Sequence, residues 1–156
     1  MCRMSGIITR VSVAFENRGV FLIEYISSLE NISDEMLFGF FVGWPNPPSP
    51  SAHMRILEGS YCIWLAIDKD IGRVVGFINA ISDGVLSAYI PLLEVLPEYQ
   101  NAGIGKELVE RMLGSLKNLY MVDLLCDEDL LGYYAKFGMN VAIGSILRNY
   151  DRQSCE

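Results

Sequence analysis

The sequence predicts an α/β (α+β) fold: a mixed, mostly antiparallel central sheet flanked by helices. Three observations carry that expectation. Residues 60–96 hold three apolar runs joined by "KDIG" and by a turn at Asp83-Gly84, the spacing of consecutive antiparallel strands. A glycine-opened amphipathic helix follows at 103–116, and a second strand-then-helix unit fills 119–138. At 156 residues, 51% hydrophobic and 20% charged, the chain suffices for one well-packed core, so a single domain is expected.

Taken in order, "GVFLIEYI" from Gly19 is a strand of β-branched and aromatic residues. The preceding "IITRVSVAF" fits either another strand or an irregular arm. Ser33 can cap a short helix through Phe41, with Asp34 and Glu35 in the first turn that the helix dipole favours. Four prolines in "GWPNPPSPS" then forbid regular structure. "AHMRILEG" follows as a helix closed by Gly59. The strands "SYCIWLAID", "RVVGFINAIS" and "VLSAYIPLLEVL" come next. Pro91 lacks an N–H, so the third strand should carry a bulge or an unpaired edge there. Leu108, Val109, Met112, Leu113 and Leu116 recur at helical spacing. "LYMVDLLC" should be a buried strand. Asp127 should cap a helix with Leu130, Tyr133, Tyr134 and Phe137 on one side and Gly138 at its end. "VAIGSILRNY" should close the sheet.

Composition removes several function classes. A net charge of −7 argues against nucleic acid, which needs a basic face, and suits a cationic partner. The apolar bursts "MLFGFFVGW" and "YCIWLAI" fall far short of the roughly 20 residues that span a bilayer, so no membrane partner is expected. "MCRMSGIITR" has no apolar signal core, which predicts a cytoplasmic protein. Four scattered cysteines and the single His53 do not form a metal-ligand pattern, so no metal is expected.

The informative stretch is "LEVLPEYQNAGIGKELVERML", Leu93 to Leu113. Glycine costs a helix interior about 1 kcal/mol against alanine, yet Gly103 and Gly105 sit at a helix entrance. The first four N–H groups of a helix lack internal partners, and the dipole leaves about half a positive charge there. Glycines strip away the side chains that would shield those donors, giving a cradle for phosphate or pyrophosphate, with Lys106 beside it. A Walker loop fails at Gln100 and Glu107, and a dinucleotide fingerprint fails at Leu108. A tight turn with no ligand would use the same glycines.

With its neighbours the segment resembles the signature of the GNAT superfamily of acyl-CoA-dependent N-acetyltransferases. That pattern, V-x-P-x-x-[QR]-x-x-G-x-[GA], reads here as Val95, Pro97, Gln100, Gly103 and Gly105. The family's later F-Y-x-x-x-G-[FM] corresponds to "YYAKFGM", with Tyr134 four residues before Gly138. The resemblance covers about residues 19–150. It implies acetyl-CoA as cosubstrate, its pyrophosphate held by the amides of Gln100, Asn101, Ala102, Gly103, Ile104, Gly105 and Lys106. Its pantetheine arm would pair with the strand around Glu94, Val95 and Leu96, using the irregularity near Pro91. Asp127 stands where the family usually has Asn and Tyr133 where it has Phe, departures that touch the cofactor contacts rather than the fold.

The implied chemistry acetylates a primary amine of a small molecule or peptide by direct attack. The Val95 N–H would stabilise the developing oxyanion, and Tyr134 would act as acid toward the thiolate. Tyr134 is equally compatible with being the amphipathic edge of a core helix. Glu94 could take the amine proton, directly or through water, or simply face solvent. Cys126 has no paired histidine, so no acyl-enzyme is expected. Trp44, Phe40 and Phe41 would wall the acceptor site or join the core. A non-catalytic acyl-CoA-binding module stays open as the alternative. A homodimer is compatible with such a fold, though no residue pattern establishes one.

Overall fold

The strands run in sheet order equal to chain order, so the sheet is a meander up to its last member. The structure, a computed structural model, describes residues 9–15 and 19–155, with side chains from Phe21 onward. β1 (Thr9–Phe15), β2 (Gly19–Ile26), β3 (Cys62–Asp68), β4 (Arg73–Ser82) and β5 (Ser87–Val95) pair antiparallel. β6 (Met121–Leu124) joins β5 in parallel, because the chain returns to the sheet through α2 (Ile104–Leu116). The segment before Gly19 is thus partly a strand, which settles the alternative its sequence leaves open.

β3 is buried along its whole length, as its unbroken apolar run requires when both sheet faces are covered. On one face α2 turns Ile104, Leu108, Val109, Met112 and Leu116 inward. It comes close because Gly76 has no side chain: a Cβ there would lie 3.2 Å from both Ile104 and Leu108. On the other face Phe77 meets His53, Phe40 and Phe41 (ring centroids 4.3, 5.1 and 6.1 Å). His53 belongs to α1 (Pro50–Glu58), whose start is capped by Ser49 Oγ accepting from the Ala52 N–H at 3.2 Å.

Three expectations need correction. The helix from Ser33 to Phe41 is a single 3-10 turn, Asp34–Leu37. Left-handed backbone at Gly39, Phe41 and Gly43 (φ 93°, 62° and 81°) folds the chain back repeatedly, so no helix can propagate. The helix α1 does close at Gly59 as expected, with right-handed backbone there (φ −77°). β6 alternates exposed with half-buried residues rather than being buried, because it lies at the sheet's edge. Residues 140–149 form no strand and are exposed throughout. They run past β6 toward a terminus held elsewhere: Asn46 N–H donates to Gln153 Oε1 (3.1 Å), and Arg55 Nη2 donates to the Cys155 carbonyl (3.2 Å).

The helix expected after Asp127 is real but short. A 3-10 turn, Glu128–Leu130, leads into α3 (Leu131–Ala135), and Gly138 at φ 81° ends it as expected.

Candidate active site

The site begins where β5 loses one partner. Two β5 residues, Ile90 and Pro91, stand opposite Ala80 of β4, since the register moves from Ile81↔Tyr89 to Asn79↔Leu92. This is the bulge that Pro91 demands. Pairing between β5 and β6 also ends there, at Ile90↔Leu124. From Pro91 to Val95, β5 therefore keeps β4 and lacks a strand neighbour on its other side, leaving a slot there.

Strand alternation decides which amides face the slot. The Leu96 N–H donates to Val75 O of β4 at 2.9 Å, so the Val95 N–H points the opposite way, into the slot. Leu96 itself is turned away: its carbonyl accepts from the Tyr99 N–H (2.8 Å) and its side chain is buried. Its N–H and one acceptor position of its carbonyl are engaged within the chain. Gln100 is similarly occupied. Its N–H donates to Pro97 O (3.3 Å) and its side-chain amide to Val95 O (3.0 Å).

Beyond Gln100 the chain turns on two left-handed residues, Asn101 (φ 62°) and Gly103 (φ 75°), and α2 begins. The first bond of α2 runs from the Glu107 N–H to Gly103 O (3.0 Å). The amides of Ile104, Gly105 and Lys106 thus precede the helical ladder. Among the described residues, and apart from its chain neighbours, no atom lies within 4 Å of a Cβ built on Gly103. At Gly105 a Cβ would meet only the Tyr133 hydroxyl (3.4 Å) and Val95 Cγ2 (3.7 Å). Ala102 and Ile104 are buried supports of this turn. Lys106 stays cationic: its bond to Glu110 (2.9 Å) raises its pKa.

Tyr133 and Tyr134 stack edge-on at 5.1 Å. Tyr133, the residue that departs from the motif, is the one whose hydroxyl reaches the glycine turn. Tyr134 is half-buried on α3, where burial, then neighbouring Tyr133 and Cys126, push its phenol up to about 12. Asp127 is exposed and caps its turn with no side-chain bond.

Glu94 projects to the opposite face, beside Phe77. Its carboxylate accepts the N–H groups of Phe41 (2.8 Å) and Val42 (3.0 Å). Two of its four or so acceptor positions are thereby used. This clamp has no sequence signal, because its donors are backbone atoms 53 and 52 residues away. A cavity of about 630 Å³ is lined by Asp34, Glu35, Phe38, Pro50, Ser51 and Arg73. His53 makes no hydrogen bond through its ring. Burial pushes its pKa down to about 4. A neutral ring sealed among phenylalanines is not an available base.

A bulged strand, an edge of that strand without a partner and a glycine-opened helix follow one another along the chain. The model of the acetyltransferase (GNAT) family matches residues 29–139, which contain all three. The chain belongs to the acetyltransferase (GNAT) family. This GNAT chain is 46% identical to a Deinococcus radiodurans R1 protein described as an acetyltransferase, with a TM-score of 0.82 over 85% of this chain and 92% of that one. It is 29% identical to the uncharacterized N-acetyltransferase ycf52 of Pyropia yezoensis, over 73% of this chain and 68% of the relative. It is 32% identical to serotonin N-acetyltransferase 2, chloroplastic, of Oryza sativa, over 54% and 44%. The last name gives no support to a cytoplasmic location. Among the described residues no helix is long and apolar enough to cross a membrane, and no cluster of three or more His, Cys, Asp or Glu could hold a metal.

Proposed function

We propose that this GNAT chain transfers an acetyl group from acetyl-CoA to a primary amine by direct attack. One observation carries the proposal: the free edge of β5, from Pro91 to Val95, leads directly into the amides at the start of α2. An extended pantetheine arm suits the first, and a pyrophosphate suits the second. Asn101 to Lys106 supply the cradle, and Gln100 braces it through Val95 O.

Acetyl-CoA supplies the activated carbonyl. The Val95 N–H donates to the oxygen that gains charge. Tyr134, its phenol near 12, is a weaker acid than a thiol near 8.5. It therefore stabilises the departing thiolate by a hydrogen bond rather than by full proton transfer. Tyr134→Phe tests this: turnover falls about 100-fold while calorimetry gives the parent's affinity for coenzyme A. Unchanged turnover would remove Tyr134 from the mechanism.

The acceptor amine enters from the face of Glu94, through the cavity of Asp34, Glu35 and Phe38. Asp34 and Glu35 outweigh the single cation Arg73 in its lining, which suits an ammonium, and exposed Phe38 offers apolar surface to its body. An aromatic monoamine such as serotonin, the substrate in the rice relative's name, heads the panel, followed by peptide amines. Thiol release on incubation with acetyl-CoA is the readout. The double engagement of Glu94 favours one second reading, a module that binds acyl-CoA without turnover. Saturable binding of coenzyme A with no thiol release across the panel would select it.

A further inference from the structure

A separate cavity of about 510 Å³ draws its lining from β2, from β3 and from the loops that follow them. In the sheet order β4 stands between these strands and the open edge of β5. The volume is that of a small-molecule site, mostly apolar with a few placed polar groups. Ile26, Ile32, Met36 and Ile67 give the apolar wall. Glu24, the register partner of Ile67, belongs to the same lining and is only 8% exposed.

A carboxylate buried so far requires a cation, and Lys69 Nζ meets it at 2.6 Å. That ammonium keeps donors to spare, on a side chain still 41% exposed. Glu30, which is exposed, adds a further carboxylate to the lining. Ser27 lines the cavity too, and its Oγ is buried with no hydrogen-bond partner among the described residues. Buried hydroxyls are ordinarily paired, so this one marks a place that a further polar group fits.

Both signs of charge beside an apolar wall match a zwitterion. A ligand carboxylate suits Lys69 and the Ser27 hydroxyl, a ligand ammonium suits Glu30, and an apolar side chain suits Ile32 and Met36. A plain amine would leave the spare donors of Lys69 without an acceptor. A plain carboxylate would stand near Glu24 and Glu30 with no cation of its own. We propose that this cavity binds an apolar α-amino acid in its zwitterionic form, at a site separate from the acceptor cavity. The 3-10 turn Asp34–Leu37 lies between the two, since Met36 lines this cavity while Asp34 and Glu35 line the other. Binding here does not depend on the proposed reaction.

Calorimetry of the full chain with L-valine, L-leucine, L-isoleucine and L-methionine tests it. The controls are 3-methylbutylamine and 4-methylpentanoate, the leucine skeleton without its carboxylate and without its ammonium. At least one amino acid should bind saturably, one per chain, and both controls at least about tenfold more weakly. Glu30→Gln and Lys69→Gln should each weaken the amino acid at least about tenfold with an unchanged melting temperature. Glu30 is exposed, and the amide introduced at position 69 can still donate to Glu24. Glu35→Gln, in the acceptor cavity, should leave amino-acid binding as it is. Silence across the four amino acids would overturn the proposal, as would a control that binds equally well. Binding that survives both Glu30→Gln and Lys69→Gln would overturn it too. So would a tenfold loss on Glu35→Gln, by placing the amino acid in the acceptor cavity.

Discussion

Glu94 Oε2 accepts the Phe41 N–H at 2.8 Å and holds that residue in left-handed backbone at φ 62°. A bulky side chain resists this conformation, so the carboxylate stabilises a turn the local sequence would not adopt alone. The turn, in turn, sets Phe41 and Trp44 (ring centroids 5.2 Å apart) over the acceptor face. Glu94 is therefore a positioning residue whatever proton it also moves.

Glu94→Ala should release the turn. Hydrogen bonds to a charged group contribute about 1.5–3 kcal/mol each, partly recovered here by solvent at exposed Val42. A melting temperature lower by several degrees is expected, with a raised KM for the amine and unchanged affinity for coenzyme A. A tenfold loss of coenzyme A affinity would contradict this division of labour.

Gly105→Ala separates ligand approach from folding. Its new methyl would make only ordinary contacts, at 3.4 and 3.7 Å, and alanine improves helix propensity by up to about 1 kcal/mol. The variant should melt no lower than the parent yet bind coenzyme A at least tenfold more weakly. Gly103→Val should lose stability as well, by about 1–2 kcal/mol, because φ 75° is left-handed. Equal affinity for coenzyme A in both variants and the parent would show that no ligand approaches this backbone.

Gly76→Ala acts from the far side of the same helix. Its methyl would press on Ile104, Leu108 and Val95 at 3.2–3.3 Å, all rigidly packed. Overpacking of this kind costs about 1–3 kcal/mol. Because the helix it displaces carries the cradle, coenzyme A affinity should fall together with chemical stability.

His53 makes stability depend on pH. Its folded pKa of about 4 lies below its ordinary 6.5. Between those values the unfolded chain binds a proton that the native chain does not, so stability falls as pH drops from about 6.5 toward 4. The loss approaches about 3 kcal/mol at most. His53→Leu should flatten the urea-midpoint difference between pH 7 and pH 4.5, and an identical slope in parent and variant would refute it.

The sequence by itself determined the run of three antiparallel strands β3 to β5, an irregularity at Pro91, α2 and its glycine entrance, and the family. Each rests on local rules: turn chemistry, a missing N–H, a period of 3.6, and a motif whose glycines have steric meaning. It did not determine where residues 33–41 turn, which tyrosine touches the cradle, what Glu94 holds, or whether residues 140–149 find a sheet. Those depend on partners more than fifty positions away, as Glu94 and Phe41 do, or on whether an edge is free. Only the packed chain decides them, because a backbone amide advertises nothing in its residue's identity until a distant carboxylate is brought within 3 Å of it.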